Sequence, residues 1–260
     1  MKVHPTAVVH PEAKVDPSCE IGPYCIIGAQ VSMGPNNKLL SHVVIDNKVT
    51  IGEGNTFHSF SVIGDTPQDL KYKGENTEVV IGNQNTIREC VTINLGTEGG
   101  GKITSVGNNC LLMAYVHLGH DCKIGSNVII GNSCQIAGHV TIEDYAILGG
   151  LCGVSQFIRV GAHCYVGGCS GVDRDMPPFS MGRGPSPGFQ IWGMNLVGLK
   201  RRAFTDESIS TLQQINKIFF KDKSLEKEAA LRKIEQEYGE VEVARQFITF
   251  IRASDKGVFR

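Results

Sequence analysis

Histidine takes up and returns a proton near neutral pH, so the spacing of histidines bounds the acid–base chemistry open to a chain. The segment Val116-His117-Leu118-Gly119-His120-Asp121 sets two imidazoles beside a carboxylate, and His139 and Gln156 follow 19 and 17 residues further on. A neutral imidazole is the usual general base for a hydroxyl nucleophile. Three imidazoles could instead hold zinc with one open position, and single histidines on a surface are often idle. Downstream, Lys200-Arg201-Arg202 follows Asn195 and Gly198. Neighbouring guanidinium groups match the oxygens of a diphosphate, although such a triplet is more commonly a solvated face.

These residues sit on a periodic chain. Steps of six from Val3 meet Val9, Val15, Ile21, Ile27, Met33, Leu39, Ile45, Ile51, Phe57 and Ile63; after a shift, the same steps run unbroken from Val106 to Val172. A period of six fits neither a 3.6-residue helix nor an alternating strand. It fits a short strand followed by a corner, repeated as the flat faces of a stacked coil. With three faces a turn takes 18 residues, and successive turns stack about 4.8 Å apart. That spacing predicts a rough column of His120, His139 and Gln156 on one outward edge, with His117 just round the same coil.

Seven of the nine cysteines obey the same repeat. Cys19, Cys25, Cys110, Cys122, Cys134, Cys152 and Cys164 fall four residues after a repeat start, the small inward slot, where a thiol serves as a compact apolar filler. No CxxC pair suggests metal, and a disulfide framework is not expected. The 31 glycines suit a fold with many tight corners. A net charge of -1 argues against a general nucleic-acid binder. The N-terminal Met1-Lys2-Val3-His4-Pro5 lacks the apolar stretch of a signal peptide, and no run is long enough to span a membrane, so a cytoplasmic protein is expected.

Two interruptions, near 65–80 and 96–102, should project as loops, and loops on rigid scaffolds commonly carry function. The first carries Gln68, Asp69 and Lys71, a candidate substrate wall. The solenoid is expected over 1–190 and a small helical domain over 191–260. In that domain Thr205 caps one helix, Ser224 a second, and a third spans roughly 240–253.

Taken together, Thr66-Pro-Gln-Asp-Leu-Lys-Tyr-Lys-Gly-Glu75, Ile87-Arg-Glu-Cys-Val-Thr-Ile93, Leu111-Leu-Met113, His117-Leu-Gly-His-Asp121, Ala137-Gly-His139, Gly167-Gly-Cys-Ser-Gly171 and Gly198-Leu-Lys-Arg-Arg202 closely resemble, in matching order, the acyl-carrier-protein-dependent UDP-N-acetylglucosamine O-acyltransferases of lipid A biosynthesis. The resemblance implies a left-handed parallel β-helix with a helical tail, assembled as a homotrimer with sites between subunits. It implies transfer of a 3-hydroxyacyl group from acyl carrier protein to the sugar 3-hydroxyl, with no metal or redox cofactor. By matching motif, His120 is implied as general base and the Gly138 N–H as oxyanion donor, with Asp121 beside them. Gln68, Asp69, Lys71, His117 and His139 are implied at the sugar, and Gln156, Asn195, Arg201 and Arg202 around the nucleotide and phosphates. Gly168 is implied to limit acyl length and, lacking a side chain, to admit a longer chain.

The sequence departs from the family pattern in three places. Asn94 and Leu95 replace a frequent His-Arg pair, Ser155 precedes Gln156 where a His is expected, and Val197 stands where a Glu often follows Asn195 by two. The acceptor can therefore carry a 3-hydroxyl or a 3-amino group. A zinc enzyme and a non-catalytic solenoid are the other classes open to this scaffold.

Overall fold

The computed structural model of the chain describes residues 2–260; Met1, first residue of the polar N-terminus, lies outside them. Strands mostly two residues long pair in parallel with the strand one coil later, as Lys2–Val3 does with Glu20–Ile21. They line up in three sheets of eleven, nine and eight strands, here called faces one, two and three in the order the chain visits them. The coil is a left-handed parallel β-helix. The preference for right-handed crossovers comes from long connections packing back onto a twisted sheet. Strands of two residues express little twist, which leaves the corners to set the hand.

Each corner follows from the six-residue step. The repeat residue points inward and is buried, as at Ile21, Ile27, Leu118, Ile124, Ile130 and Ile136. Three residues later the backbone turns through the left-handed region: Asp121, His139 and Phe157 have φ of 60, 63 and 66°. Asparagine and aspartate tolerate that conformation; a Phe there costs about 1–2 kcal/mol, offset by the hydrogen bonds of the coil. The next residue turns inward again, and all seven cysteines assigned to that slot are buried free thiols.

Both interruptions leave the coil at one edge, between faces two and three. Strand Val62–Asp65 on face two leads through residues 66–77 to Glu78–Ile81 on face three. One coil later Thr92–Asn94 leads through a short turn at Glu98–Gly100 to Ile103–Val106.

After the last coil, strand Ser180–Arg183 pairs antiparallel with Gln190–Met194, so strand continues past residue 190. Helices α1 (Leu196–Arg201), α2 (Asp206–Ile215), α3 (Lys227–Tyr238) and α4 (Glu242–Arg252) follow, with a π-helical stretch at Asn216–Lys221 after α2. Thr205 caps α2 by accepting from the Ser208 N–H, as expected. Ser224 does not cap α3: its hydroxyl and amide both go to the Asp222 carboxylate, and α3 starts at Lys227 after Glu226. An Asx turn has taken the serine first. The helices bury their own core around Leu212, Phe219, Leu231 and Phe247. No helix among the described residues is long and apolar enough to cross a membrane.

Candidate active site

The edge that carries both loops also carries the histidines, because His120 and His139 occupy the corners of the next two coils. His120 follows strand His117–Leu118 of face two, and its backbone carbonyl accepts the His139 N–H at 2.9 Å. The two rings meet edge to face, 4.8 Å between centroids. The Asp121 Oδ2 lies 2.8 Å from His120 Nδ1 and 3.8 Å from His139 Nδ1. His117 stands on the same coil, with Nδ1 2.7 Å from the Thr92 hydroxyl of the coil before.

His120 points outward from the coil yet is only 8% exposed, and the 96–102 loop folds over its neighbour Asp121. Thr97 donates its amide to Asp121 Oδ1 at 2.9 Å and its hydroxyl to Oδ2 at 2.6 Å. Gly100 packs so closely that a Cβ there would overlap the Asp121 carboxylate. Asp121 is thus buried with both oxygens hydrogen-bonded. If Oδ2 accepts the His120 Nδ1–H, the lone pair of that ring sits on Nε2.

Glycine shapes what Nε2 faces. The imidazole of His120 lies against Gly138, where a Cβ would come within 2.5 Å of Nε2. The Gly138 N–H finds no acceptor among the described residues. On the edge between faces three and one, the matching amides are capped by side chains of the next coil, as Asp144 caps Ser126. At Gly138 no such cap stands, which leaves a donor beside an imidazole.

Asp69, Lys71, Tyr72, Thr97, His139 and Phe157 line a cavity of about 270 Å³ on this edge. Gln68 is exposed on the same loop and outside that lining. Burial is the main cause that lowers the pKa of His139, with Asp121 and Asp69 pulling the other way. Burial also lowers that of His117, helped by His120. Both rings therefore stay neutral below the usual imidazole range.

The column differs from the expected one at its far end. Residues 120, 138 and 156 share one position of the repeat, whereas 121, 139 and 157 share the next. Phe157, not Gln156, stacks on His139, at 4.3 Å and 7°; Gln156 is exposed beside it. Phe157 was legible by counting 18 from His139. Thr97 was not, because the loop that carries it breaks the register.

The remaining expected residues lie elsewhere on the same chain. Gly168 turns the edge between faces one and two, next to Gly150. Asn195 caps α1, accepting from the Gly198 amide at 3.2 Å and donating to the His163 carbonyl at 3.0 Å. Arg202 donates to the Tyr145 carbonyl at 3.1 Å and sits over its ring at 5.1 Å. Tyr145 and His163 belong to the edge between faces three and one. Arg201 is exposed, so only Arg202 of the arginine pair is held in place.

His120, Asp121 and His139 offer ligand atoms within 4.8 Å of one another, a set that could reach a metal ion. Three hydrogen bonds already occupy the carboxylate, and an ion would have to displace some of them. A larger groove of about 710 Å³ between α4 and face three contains no histidine.

A left-handed hexapeptide solenoid with a buried histidine–aspartate pair under edge loops defines a hexapeptide-repeat transferase. The model "Bacterial transferase hexapeptide (six repeats)" matches residues 103–138, and "Udp N-acetylglucosamine O-acyltransferase; Domain 2" matches residues 175–259. A relative from Thermodesulfovibrio yellowstonii, an acyl-[acyl-carrier-protein]–UDP-N-acetylglucosamine O-acyltransferase, is 46% identical over 259 residues, covering 100% of this chain and 99% of its own. The UDP-N-acetylglucosamine acyltransferase of Francisella novicida superposes with a TM-score of 0.96 at 42% identity, over 99% of this chain and 94% of that one. The Bacteroides fragilis 9343 enzyme gives 0.95 at 39%, over 99% and 100%. The chain belongs to the acyl-[acyl-carrier-protein]–UDP-N-acetylglucosamine O-acyltransferase family, and it is an acyltransferase.

Proposed function

We propose that the protein transfers a 3-hydroxyacyl chain from an acyl-carrier-protein thioester to the 3-hydroxyl of UDP-N-acetylglucosamine, with His120 as general base. The observation that carries this reading is the buried His120–Asp121 pair, 2.8 Å apart, whose second ring nitrogen lies against Gly138, a residue with an uncapped amide. His120 Nε2 takes the proton of the sugar hydroxyl as its oxygen attacks the thioester carbonyl. The Gly138 N–H receives the resulting oxyanion, and such a donor acts without reorganising. The carbon–sulfur bond then breaks, and the imidazolium returns its proton to the leaving thiolate. Asp121 holds the ring and stabilises its charged form.

Asp69, Lys71, His117 and His139 are assigned to the sugar, with Gln68 beside them and Gln156 toward the nucleotide. Asn195, Arg201 and Arg202 are assigned to the nucleotide, and Gly168 to the end of the acyl chain. In one chain these groups lie on three different edges, which favours a homotrimer whose sites form between subunits.

The test is to incubate purified protein with UDP-N-acetylglucosamine or its 3-amino analogue and a panel of acyl-carrier-protein thioesters, and to weigh the products. A mass gain of one 3-hydroxyacyl group is expected. Acylation of neither sugar by any thioester would overturn the proposal.

A further inference from the structure

The catalytic edge does not end at the solenoid. Phe157 stacks on His139 at 4.3 Å, and the ammonium of Lys256 lies over the other end of that stack, 4.9 Å from the Phe157 centroid. Lys256 comes from the last turn of the chain, far from the coil in sequence. The backbone that follows it is pinned twice: the Gly257 carbonyl accepts from the Asp175 amide at 2.9 Å, and the Phe259 amide donates back to the Asp175 carbonyl at 3.1 Å. Asp175 and Met176 lie one coil beyond Arg159 and Val160 on face three, and the parallel bridge from Asp175 to Val258 puts the tail in the place of the next rung. Phe259 packs on Phe189 at 4.6 Å, and the Arg260 guanidinium binds the carbonyls of Phe219, Asp222 and Leu225.

Such anchoring distinguishes Lys256 from an ordinary surface lysine. Its ammonium lies over an aromatic ring while the residue stays exposed to solvent. It pairs with no carboxylate among the described residues, and Lys71 is another exposed cation on this edge.

We infer that Lys256 is a substrate-binding residue of the catalytic edge that contacts a phosphate oxyanion. The inference rests on the O-acyltransferase reading. Both substrates of that reaction supply the chemistry: the diphosphate of the sugar nucleotide, and the phosphodiester that tethers a thioester arm to its carrier protein.

The experiment is steady-state kinetics on the full-length protein and its Lys256→Met and Lys256→Arg variants, with each substrate varied in turn. Methionine keeps an unbranched apolar stem and removes the charge; arginine keeps the charge. The expected result is a KM about tenfold higher in Lys256→Met, as for one lost charge-assisted contact. The expected change in kcat is small, with near-normal constants in Lys256→Arg. The substrate whose KM rises identifies the phosphate. If both KM values stay within about twofold, or if both variants lose kcat equally, the inference is overturned. Wild-type turnover in the same assay separates this from the larger reading: an inactive wild type overturns both, an active one with indifferent variants only the lysine.

Discussion

A histidine that accepts a proton at one nitrogen needs the other committed, and Asp121 supplies that commitment from a fully enclosed position. His120→Ala should lower kcat by about 10²–10⁴-fold with the fold intact, the usual worth of a general base; near-normal turnover would remove the assignment. Asp121→Asn should lower kcat by about 10²-fold with little change in sugar-nucleotide KM, because it disturbs ring orientation rather than substrate contacts. Retained turnover in that variant would reduce Asp121 to an anchor for Thr97. His163 carries a pH prediction. It stacks on Tyr145, and burial, with the Arg202 charge, holds its pKa at about 4 against an ordinary 6.5. A folded-state value below the unfolded one means that the unfolded chain binds more protons between them. The contribution is then complete above pH 6.5 and lost as the pH falls toward 4. Between pH 7 and 5, urea unfolding of the wild type should lose about 1 kcal/mol more than that of His163→Phe, a figure reduced for the ring's partial exposure. Equal losses would place the titration elsewhere. At this scale the sequence showed that His120 and His139 meet, since 19 residues is one coil and one step. It did not show the orientation of Asp121, which depends on a loop outside the repeat.

At the scale of elements the solenoid is held by ladders as well as by apolar burial. Asn37, Asn55 and Asn85 fill the inward corner slot of three successive coils. The Asn55 amide and side-chain nitrogen both donate to Asn37 Oδ1, and the Asn85 amide donates to Asn55 Oδ1 at 2.9 Å. The Asn55 side chain also binds the Gly82 carbonyl at 2.9 Å. Asn55→Ala leaves several buried groups unpaired and should cost about 2–4 kcal/mol in urea unfolding. A loss under about 0.5 kcal/mol would mean that the coils relax around the gap. These strands were legible because each is specified by its own six residues. The helical tail was less so. Ser224 has the composition of a cap, but Asp222, two residues earlier, supplies a nearer acceptor. Helix α1 is six residues long and too short to display a period.

At the scale of the whole molecule, the prism separates what the reaction must combine. His120 lies between faces two and three, and Arg202 between faces three and one. If the site forms where the edge of one subunit meets a different edge of its neighbour, the two defects belong to different partners. His120→Ala and Arg202→Ala should each be nearly inactive alone. Unfolded together in equal amounts and refolded as mixed trimers, they should recover about one quarter of wild-type turnover. That is the chance that an interface draws an intact histidine edge from one subunit and an intact arginine edge from the next. Mass measurement should give three copies of the chain for the wild type and for the mixture. Recovery shows that the residues act across the boundary, because no single chain in the mixture carries both. A mixture no more active than its parents, at the same trimeric mass, would place both residues' work within one chain.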